Sequence, residues 1–295
     1  MENKNRMSGR QEQRSLVRQM WRGITGKKAG IFCLVFLSVM MVGLAAAPLS
    51  PYDPNAIDVM HKMEGISFRH WFGTDDYGRD YFTRALYGGR VSLTVGIGAM
   101  LVTTAFGTAV GIFSGYIGGK TDMLLMRFTD IFMALPSMLL MVVLNTLLRP
   151  GMTTLILVLS LFSWPSVARI TRAETLSVKN RDYVVAARSI GAGHVRIALR
   201  HIFPNIIGPV IVAAANGIAG AILSESSLSY LGLGVQIPQA SWGSMVKNAQ
   251  ASILDQPMLT VIPTVLIFLT VLSFHLLGDI LRDVLEPKRE RQEAR

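Results

Sequence analysis

Hydrophobic residues are concentrated in six long runs that contain no Asp, Glu, Lys or Arg. A helix rises about 1.5 Å per residue, so crossing a hydrocarbon layer of about 30 Å takes roughly 20 apolar residues. Soluble helices rarely continue so far without a charge. The pattern therefore predicts an all-α membrane protein with six transmembrane helices, at Ala29–Leu49, Val91–Tyr116, Ile131–Leu148, Met152–Ala168, Ile206–Ser224 and Met258–Gly278.

The first apolar run follows 28 basic and polar residues, and it is longer than the apolar stretch of about 7–15 residues in a secretory signal peptide. We therefore expect a retained first span at 29–49. The remaining chain divides into a basic cytoplasmic arm (1–28), an external segment (50–90), a core of five spans with a cytoplasmic loop at 169–205 (91–278), and a cytoplasmic tail (279–295).

Basic residues are distributed unevenly between the segments that connect the spans. Charged residues make up 16% of the chain, against about 25% in soluble domains. Of the 29 Lys and Arg residues, eight lie in 1–28, two in 117–128, seven in 169–205 and five after residue 278. Because positive charge favours the cytoplasmic side, both termini are predicted to be cytoplasmic. The net charge of +10 is thus a topology signal and does not indicate nucleic-acid binding.

Small residues recur at four-residue spacing in two of the predicted spans. Such faces let another helix approach closely, so the pattern predicts a tightly packed bundle without indicating a function. The residues are Gly107, Gly111 and Gly115 in the second span and, as a weaker face, Ala213, Gly217 and Ala221 in the fifth.

The cytoplasmic loop 169–205 is far longer than a connector between two spans needs to be. Asn180 is a good N-cap for a helix from Tyr183 to Ile190, and Gly191 is a good stop because glycine adopts a left-handed conformation without strain. A second short helix is predicted at 194–202, ending before Pro204, because the residue preceding proline avoids the helical region. We expect this loop to meet a partner.

A nucleotide site in this chain is not predicted, although residues 114–121 nearly match a phosphate-binding loop. That loop needs glycine at its first position and a preceding strand. Here the first position is Ser114 and the preceding segment is a predicted span. The single cysteine, Cys33, and the five histidines form no pair at metal-ligand spacing, so no metal or cofactor is expected in the chain itself.

Three polar residues in or at the ends of the spans are candidates for a solute pathway. Glu225 is placed at the external end of the fifth span, where it can contact a solute, reach water or pair with a neighbour. For Asn145 and Asn216 the alternative is hydrogen bonding between helices. No Ser-His-Asp or paired-carboxylate arrangement is identifiable, so no catalytic residue is predicted. A membrane-embedded enzyme would need convergent His, Asp or Glu within the spans, and only His275 lies there.

The loop carries a motif. Val185-Ala186-Ala187, followed by Gly191 and Pro204, resembles the Glu-Ala-Ala signature of ABC importer permeases. In that family the loop forms a coupling helix that docks in a groove of the ATPase subunit. Val185 stands in place of the glutamate and His201 in place of a common isoleucine. The residues that the resemblance assigns to ATPase coupling are Tyr183, Val184, Val185, Ala186, Ala187, Arg188, Ser189, Ile190, Gly191 and Pro204.

A wider set of motifs resembles the peptide, nickel and opine group of these permeases, in particular its C-type subunit. His275 stands where asparagine is usual and Glu286 where aspartate is. The motifs are His70–Asp75, Gly78–Asp80, Arg90–Leu93, Gly115–Gly119, Glu225 with Leu228–Gly234, Ser241–Gly243, Leu277–Asp283 and Glu286–Lys288.

The resemblance implies a type I ABC importer permease fold in a bacterial inner membrane, and a chain that performs no covalent chemistry. It implies four kinds of partner: a homologous second permease, two ATPases that bind ATP and Mg, an extracytoplasmic solute-binding protein, and membrane lipid. The cargo stays open among dipeptides, longer peptides, glutathione, nickel chelates and opines. A stand-alone secondary transporter is the alternative function, although neither an internal repeat nor charged midplane residues are evident.

Overall fold

The computed structural model describes residues 18–285, which are helical in most of their length. Within this range the only β pairing is an isolated bridge between Thr74 and Asp80. The α-helices are α1 (18–25), α2 (Lys28–Ala46), α3 (Tyr81–Ile117), α4 (Gly119–Ala134), α5 (Ser137–Leu147), α6 (Met152–Val178), α7 (Asp182–Ser189), α8 (His194–Ile197), α9 (Phe203–Tyr230), α10 (Trp242–Ala249) and α11 (Met258–Leu285).

Five stretches of the described chain are long and apolar enough to cross a membrane, and they coincide with predicted spans one, two, four, five and six. The helices are longer than the apolar runs, because charged and polar residues continue the helix beyond the hydrocarbon. For example, α3 begins at Tyr81, where Asp80 Oδ2 accepts a hydrogen bond of 2.8 Å from the Thr83 amide and caps the first turn.

The third predicted span is not a single straight helix. The chain forms two helices there, α4 and α5, which meet at 81°. Leu135 has extended angles (φ −83°, ψ 140°), because the ring of Pro136 disfavours the helical conformation of the residue before it. The sequence placed Pro136 inside the apolar run, but a proline alone does not distinguish a mild kink from a sharp break.

The glycine face of α3 packs against α6, as the spacing predicted. A methyl group at Gly111 would lie 2.5 Å from the Ala168 carbonyl oxygen, so only glycine allows this approach. Gly107 faces Val167 and Gly115 faces Thr175, so the two helices run parallel. The chain between two parallel helices must return to its starting side. The bent pair α4–α5 makes that return and serves as one crossing, giving six in total within the described residues.

Helix α9 is antiparallel to both α3 and α11. Gly217 lies against Met100 of α3, which confirms the close approach predicted for this face of the fifth span. Asn216 lies against Gly278 of α11, and Gly208, nearer the start of α9, faces Leu285 at the end of α11. These contacts put α9 at the centre of the bundle.

The two ends of the described chain and the long loop 179–193 lie at the same end of the bundle. Lys27 Nζ and Asp283 Oδ2 are 2.6 Å apart, which joins the start of α2 to the last turns of α11. Most of the predicted arm (1–28) and tail (279–295), including the Glu286–Lys288 motif, lies outside the described residues. The cytoplasmic position of the termini stays a prediction.

Candidate functional site

Helix α7 occupies the centre of the predicted coupling loop. It begins at Asp182 with Arg181 as its N-cap, so the prediction of Asn180 as the cap is wrong. The extended angles of Arg181 (φ −71°, ψ 148°) mark the entry into the helix, and the Asp182 carboxylate stabilises the helix N-terminus. The stop at Gly191 is confirmed, since its φ of +82° lies in the left-handed region.

The predicted end of the second short helix before Pro204 is wrong. After α8 the chain makes a π-helical segment, Ala198–Ile202, and continues directly into α9. Pro204 sits in the first turn of α9, where a missing N–H costs little. The wider π-turn shifts the hydrogen-bonding register just before the proline. The loop is therefore one free helix, α7, followed by an extension of the fifth span.

One face of α7 is buried and the other is exposed. Val184 and Ala187 pack against Ile197 and Ile202 of the span extension, which fixes α7 to the bundle. Of the other predicted coupling residues, all are exposed. They are Tyr183, Val185, Ala186, Arg188, Ser189, Ile190, Gly191 and Pro204.

Exposed apolar side chains make up what we call the coupling surface, formed by Tyr183, Val185, Ile190, Val195 and Leu199. Ile190 is 85% exposed and Leu199 is 62% exposed, which is unusual for aliphatic residues at a water-facing loop. Exposed apolar patches of this kind mark sites of protein association.

The coupling surface is connected to the end of α3 through Tyr116. The Arg188 guanidinium lies 5.5 Å from the centre of the Tyr116 ring, and the Tyr116 hydroxyl is 3.2 Å from His194 Nδ1. The contacts of Tyr116 therefore join α7 to α3 as well as to the segment that leads into α9. Sequence reasoning missed this role of Tyr116, because aromatic residues at span ends are common.

A cluster of charges close to the loop, which we call the inner clamp, joins α3, α4 and α6. Arg172 donates from Nε and Nη2 to the two carboxylate oxygens of Asp122, at 2.5 and 2.6 Å. Ser114 Oγ also donates to Asp122, at 2.5 Å, and Lys179 Nζ donates to the Gly115 carbonyl at 2.9 Å. Sequence reasoning missed this cluster. The sequence offered one indication of this cluster, the acidic residue Asp122 among basic residues.

Glu225 is fully buried, so of the alternatives given for it, this conformation shows pairing with neighbouring side chains and not access to water. Its carboxylate accepts hydrogen bonds from Ser92 Oγ (2.8 Å) and Ser229 Oγ (2.6 Å), with Ser226 Oγ at 3.4 Å. The Trp242 amide in turn donates to Ser92 Oγ at 3.3 Å. The cluster thus connects α3, α9 and α10. The position of Glu225 near the end of a span does not by itself reveal that α10 covers its side chain.

The two asparagines occupy different surroundings. Asn145 is fully buried in α5; its Nδ2 donates to the Met141 carbonyl at 2.9 Å, and its Oδ1 has no hydrogen-bond partner among the described residues. Asn216 is half-buried, with Oδ1 3.4 Å from His275 Nδ1 of α11. The contact between Asn216 and His275 joins two helices, α9 and α11. A pathway role for Asn145, Asn216 and Glu225 stays a prediction.

The external motif His70–Asp80 folds into a network of buried charges. His70 Nδ1 lies 2.8 Å from Asp80 Oδ1, and both side chains are buried. Arg79 Nε donates to Asp75 Oδ2 at 2.7 Å, and Arg84 of α3 approaches the same oxygen at 3.5 Å. These polar residues therefore hold the external segment against α3.

Two external carboxyl groups have shifted pKa values. The hydrogen bond with His61 lowers the pKa of Asp58 below its ordinary value. Partial burial, followed by the negative charge of Asp75, raises the pKa of Asp76. Although His61 and His70 each contact a carboxylate, no group of three metal-ligating side chains occurs within 18–285.

The sequence profile described as "Binding-protein-dependent transport system inner membrane component" matches residues 107–291. The chain belongs to this family. The matched region covers α3 from Gly107, the inner clamp, the coupling surface, α9 and α11.

Relatives extend the family likeness to the external segment and the first span. The chain is 39% identical over 283 residues to the oligopeptide transport system permease protein OppC of Haemophilus influenzae, covering 94% of this chain and 90% of that protein. It is 38% identical over 276 residues to the glutathione transport system permease protein GsiD of Pectobacterium atrosepticum (92% and 91%), and 36% identical over 269 residues to OppC of Bacillus subtilis (91% and 88%).

As a member of the binding-protein-dependent inner-membrane family, the chain is a multi-pass permease subunit of a bacterial ABC importer with the type I permease fold. This decides against the alternative of a stand-alone secondary transporter. A transport role is consistent with the lack of an identifiable catalytic arrangement in the sequence.

Proposed function

We propose that this permease pairs with a second, homologous permease, two ATPase subunits and an external binding protein to import peptides. The termini and the coupling surface face the cytoplasm in this assembly, and ATP and Mg are bound by the ATPases. Cargo delivered by the binding protein crosses between the two permeases. Peptides are favoured because oligopeptide or glutathione transport is named for each of the three relatives described above.

The observation that carries this proposal is the combination of exposure and anchoring in α7. Its outer face presents apolar side chains such as Ile190 and Val185, whereas its inner face is held by Val184 and Ala187. A helix that is rigidly rooted in two spans transmits a push from a soluble partner instead of bending. Closure of the ATPases on ATP would then move α9 and α3 together and switch access to the pathway.

Residues 114–121 do not have the geometry of a nucleotide site, although their sequence nearly matches a phosphate-binding loop. Residues 114–117 form the last turn of α3, Gly118 separates α3 from α4, and residues 119–121 begin α4. A phosphate-binding loop follows a strand, so this segment lacks the required geometry. The proposal assigns ATP hydrolysis to the partner subunits.

Co-purification of the detergent-solubilised assembly tests the proposal. Ile190→Glu puts a charge on the coupling surface without touching the core, and it should abolish or strongly reduce recovery of the ATPases. Ile237→Glu is the matched control, because Ile237 is 82% exposed on the opposite end of the bundle. It should leave ATPase recovery unchanged.

Three results would contradict the proposal. The first is that the wild-type chain is recovered alone, and the second is that both variants lose the ATPases equally. The third is peptide uptake by membranes lacking the ATPases, which would show that the chain needs no ATP-driven partner. Isotope-labelled di- and tripeptides, tested against a nickel chelate in intact cells, decide the cargo.

A further inference from the structure

A groove between the outer ends of α2 and α3 is not used by the coupling mechanism. It has a volume of about 430 Å³, within the range of about 300–1,000 Å³ typical of ligand pockets. Its walls come from Ala46 and Leu49 at the end of the first span and from Phe82 and Leu86 at the start of the second. We call it the outer groove.

The lining of the outer groove combines apolar side chains of two spans with exposed residues of the external segment. The exposed residues are Phe68, Arg69 and Trp71, which we call its rim. Trp71 and Phe82 rings lie 5.0 Å apart, which orders the aromatic rim. Aromatic side chains of this kind sit at the level of lipid headgroups. The groove therefore straddles the boundary between hydrocarbon and water.

Charge at the rim is positive. Arg69 is the only basic residue in the lining, and its guanidinium makes no hydrogen bond or ion pair with any residue in 18–285. Among the described residues, Asp80 is the only acidic one in the lining. Its Oδ1 contacts His70 at 2.8 Å and its Oδ2 accepts from the Thr83 hydroxyl at 2.7 Å, so it is buried and fully engaged.

We infer that the outer groove binds an anionic phospholipid. One acyl chain lies between Ala46 and Leu86, and the phosphate meets the Arg69 guanidinium, whose planar donors match phosphate oxygens. A Lys or Arg side chain near the membrane surface attracts anionic headgroups. This assignment goes beyond the proposed function and uses the proposed orientation only to place the lipid in the outer leaflet.

The exposed aromatic residues favour a lipid, and not water, as the occupant of the outer groove. Phe68 is fully exposed and Trp71 is 61% exposed in the chain alone, an arrangement that costs free energy in water. Next to the end of a span, both rings would lie in the headgroup region. The first span would then be fastened to the external segment through the lipid as well as through protein contacts.

Native mass spectrometry of the co-purified assembly, titrated with phosphatidylglycerol or phosphatidylcholine, tests the inference. The wild-type assembly should retain phosphatidylglycerol in preference to phosphatidylcholine. Arg69→Gln should weaken phosphatidylglycerol binding about fivefold, as expected for one cation near a headgroup of net negative charge. It should weaken phosphatidylcholine binding less, because the choline cation of that headgroup offsets the charge of its phosphate. Ala46→Leu should fill the groove and weaken binding of both lipids.

Two matched variants control for annular lipid and for damage to the fold. Lys62→Gln removes another exposed external cation, and Ala45→Leu makes the same change one residue away, outside the lining. Both should bind lipid as wild type does. Equal lipid retention in all five proteins, or equal loss in Arg69→Gln and Lys62→Gln, would overturn the inference.

One further outcome identifies a different occupant. If Ala46→Leu releases the second permease or the binding protein while lipid retention stays constant, the groove is a subunit interface and the lipid assignment is wrong. ATPase recovery is measured in the same samples. Failure to recover the ATPases with the wild-type chain would count against the proposed function, but it would not affect the conclusion about lipid binding.

Discussion

Arg172 of α6 donates two hydrogen bonds to the carboxylate of Asp122 in the first turn of α4. Bidentate pairs of this kind fix orientation as well as distance. The pair holds the start of the bent third crossing against the helix that leads into α7. Any movement of α7 relative to α4 must therefore carry the pair along or break it.

Asp122→Asn should loosen the inner clamp. We expect a loss of stability of about 1 kcal/mol, at the low end for a hydrogen-bonded charge, because the Arg172 side chain is partly exposed and water screens the pair. Thermal unfolding of the purified assembly measures this. In a double-mutant cycle with Arg172→Gln, the two losses should be less than additive; full additivity would show that the pair contributes no coupling energy.

Gly111→Val should prevent close packing of α3 on α6. The new side chain meets the Ala168 carbonyl and Thr171, and overpacking typically costs about 1–3 kcal/mol. Gly220→Ala is the control, since no atom of residues 18–285 outside its own stretch of helix lies within 4 Å of a methyl group added there. The melting temperature of the Val variant should fall and that of the control should not. Equal melting temperatures would exclude the glycine face as a packing requirement.

Glu225→Ala should destabilise the outer half of the bundle more than Glu225→Gln. Alanine leaves the hydroxyls of Ser92 and Ser229 without their acceptor and creates a cavity, at a cost of about 2–4 kcal/mol. Glutamine keeps the volume and one carbonyl acceptor. Limited proteolysis of the 231–257 region reports the result. Equal sensitivity of the two variants would show that hydrogen bonding to residue 225 is unimportant.

Asp76→Asn should stabilise the external segment at pH 7 by no more than about 0.5 kcal/mol, the usual limit for an exposed site. Burial and Asp75 raise the pKa of Asp76 in the folded protein. The folded state thus binds a proton more readily than the unfolded state, and stability from this group rises as pH falls toward the raised pKa. The difference between variant and wild type should shrink from pH 7 to pH 4.5. A widening difference would contradict this assignment.

Asp58 is expected to behave in the opposite direction. Its hydrogen bond with His61 lowers its pKa, so its contribution is present above the ordinary value of about 3.9 and is lost as pH falls below it. Asp58→Asn should therefore lower the melting temperature at neutral pH and have little effect at pH 3. An effect that grows on acidification would exclude this role.

The sequence determined the parts of this protein that depend on local pattern. Apolar runs fixed the number and place of the crossings because the bilayer thickness sets a minimum length. Glycines at 107, 111 and 115 predicted a close helix contact, since no other side chain permits it. Gly191 predicted the end of α7 from its own backbone freedom.

Tertiary structure alone decided which distant groups meet. The chain bends by 81° at Pro136 but continues as a helix through Pro204. Pro204 lies in the first turn of α9, directly after a π-helical segment, whereas Pro136 follows the end of α4. The enclosure of Glu225 by Ser92 and α10 joins residues more than a hundred positions apart. Such contacts follow from packing of the whole bundle, and no local pattern of spacing or charge encodes them.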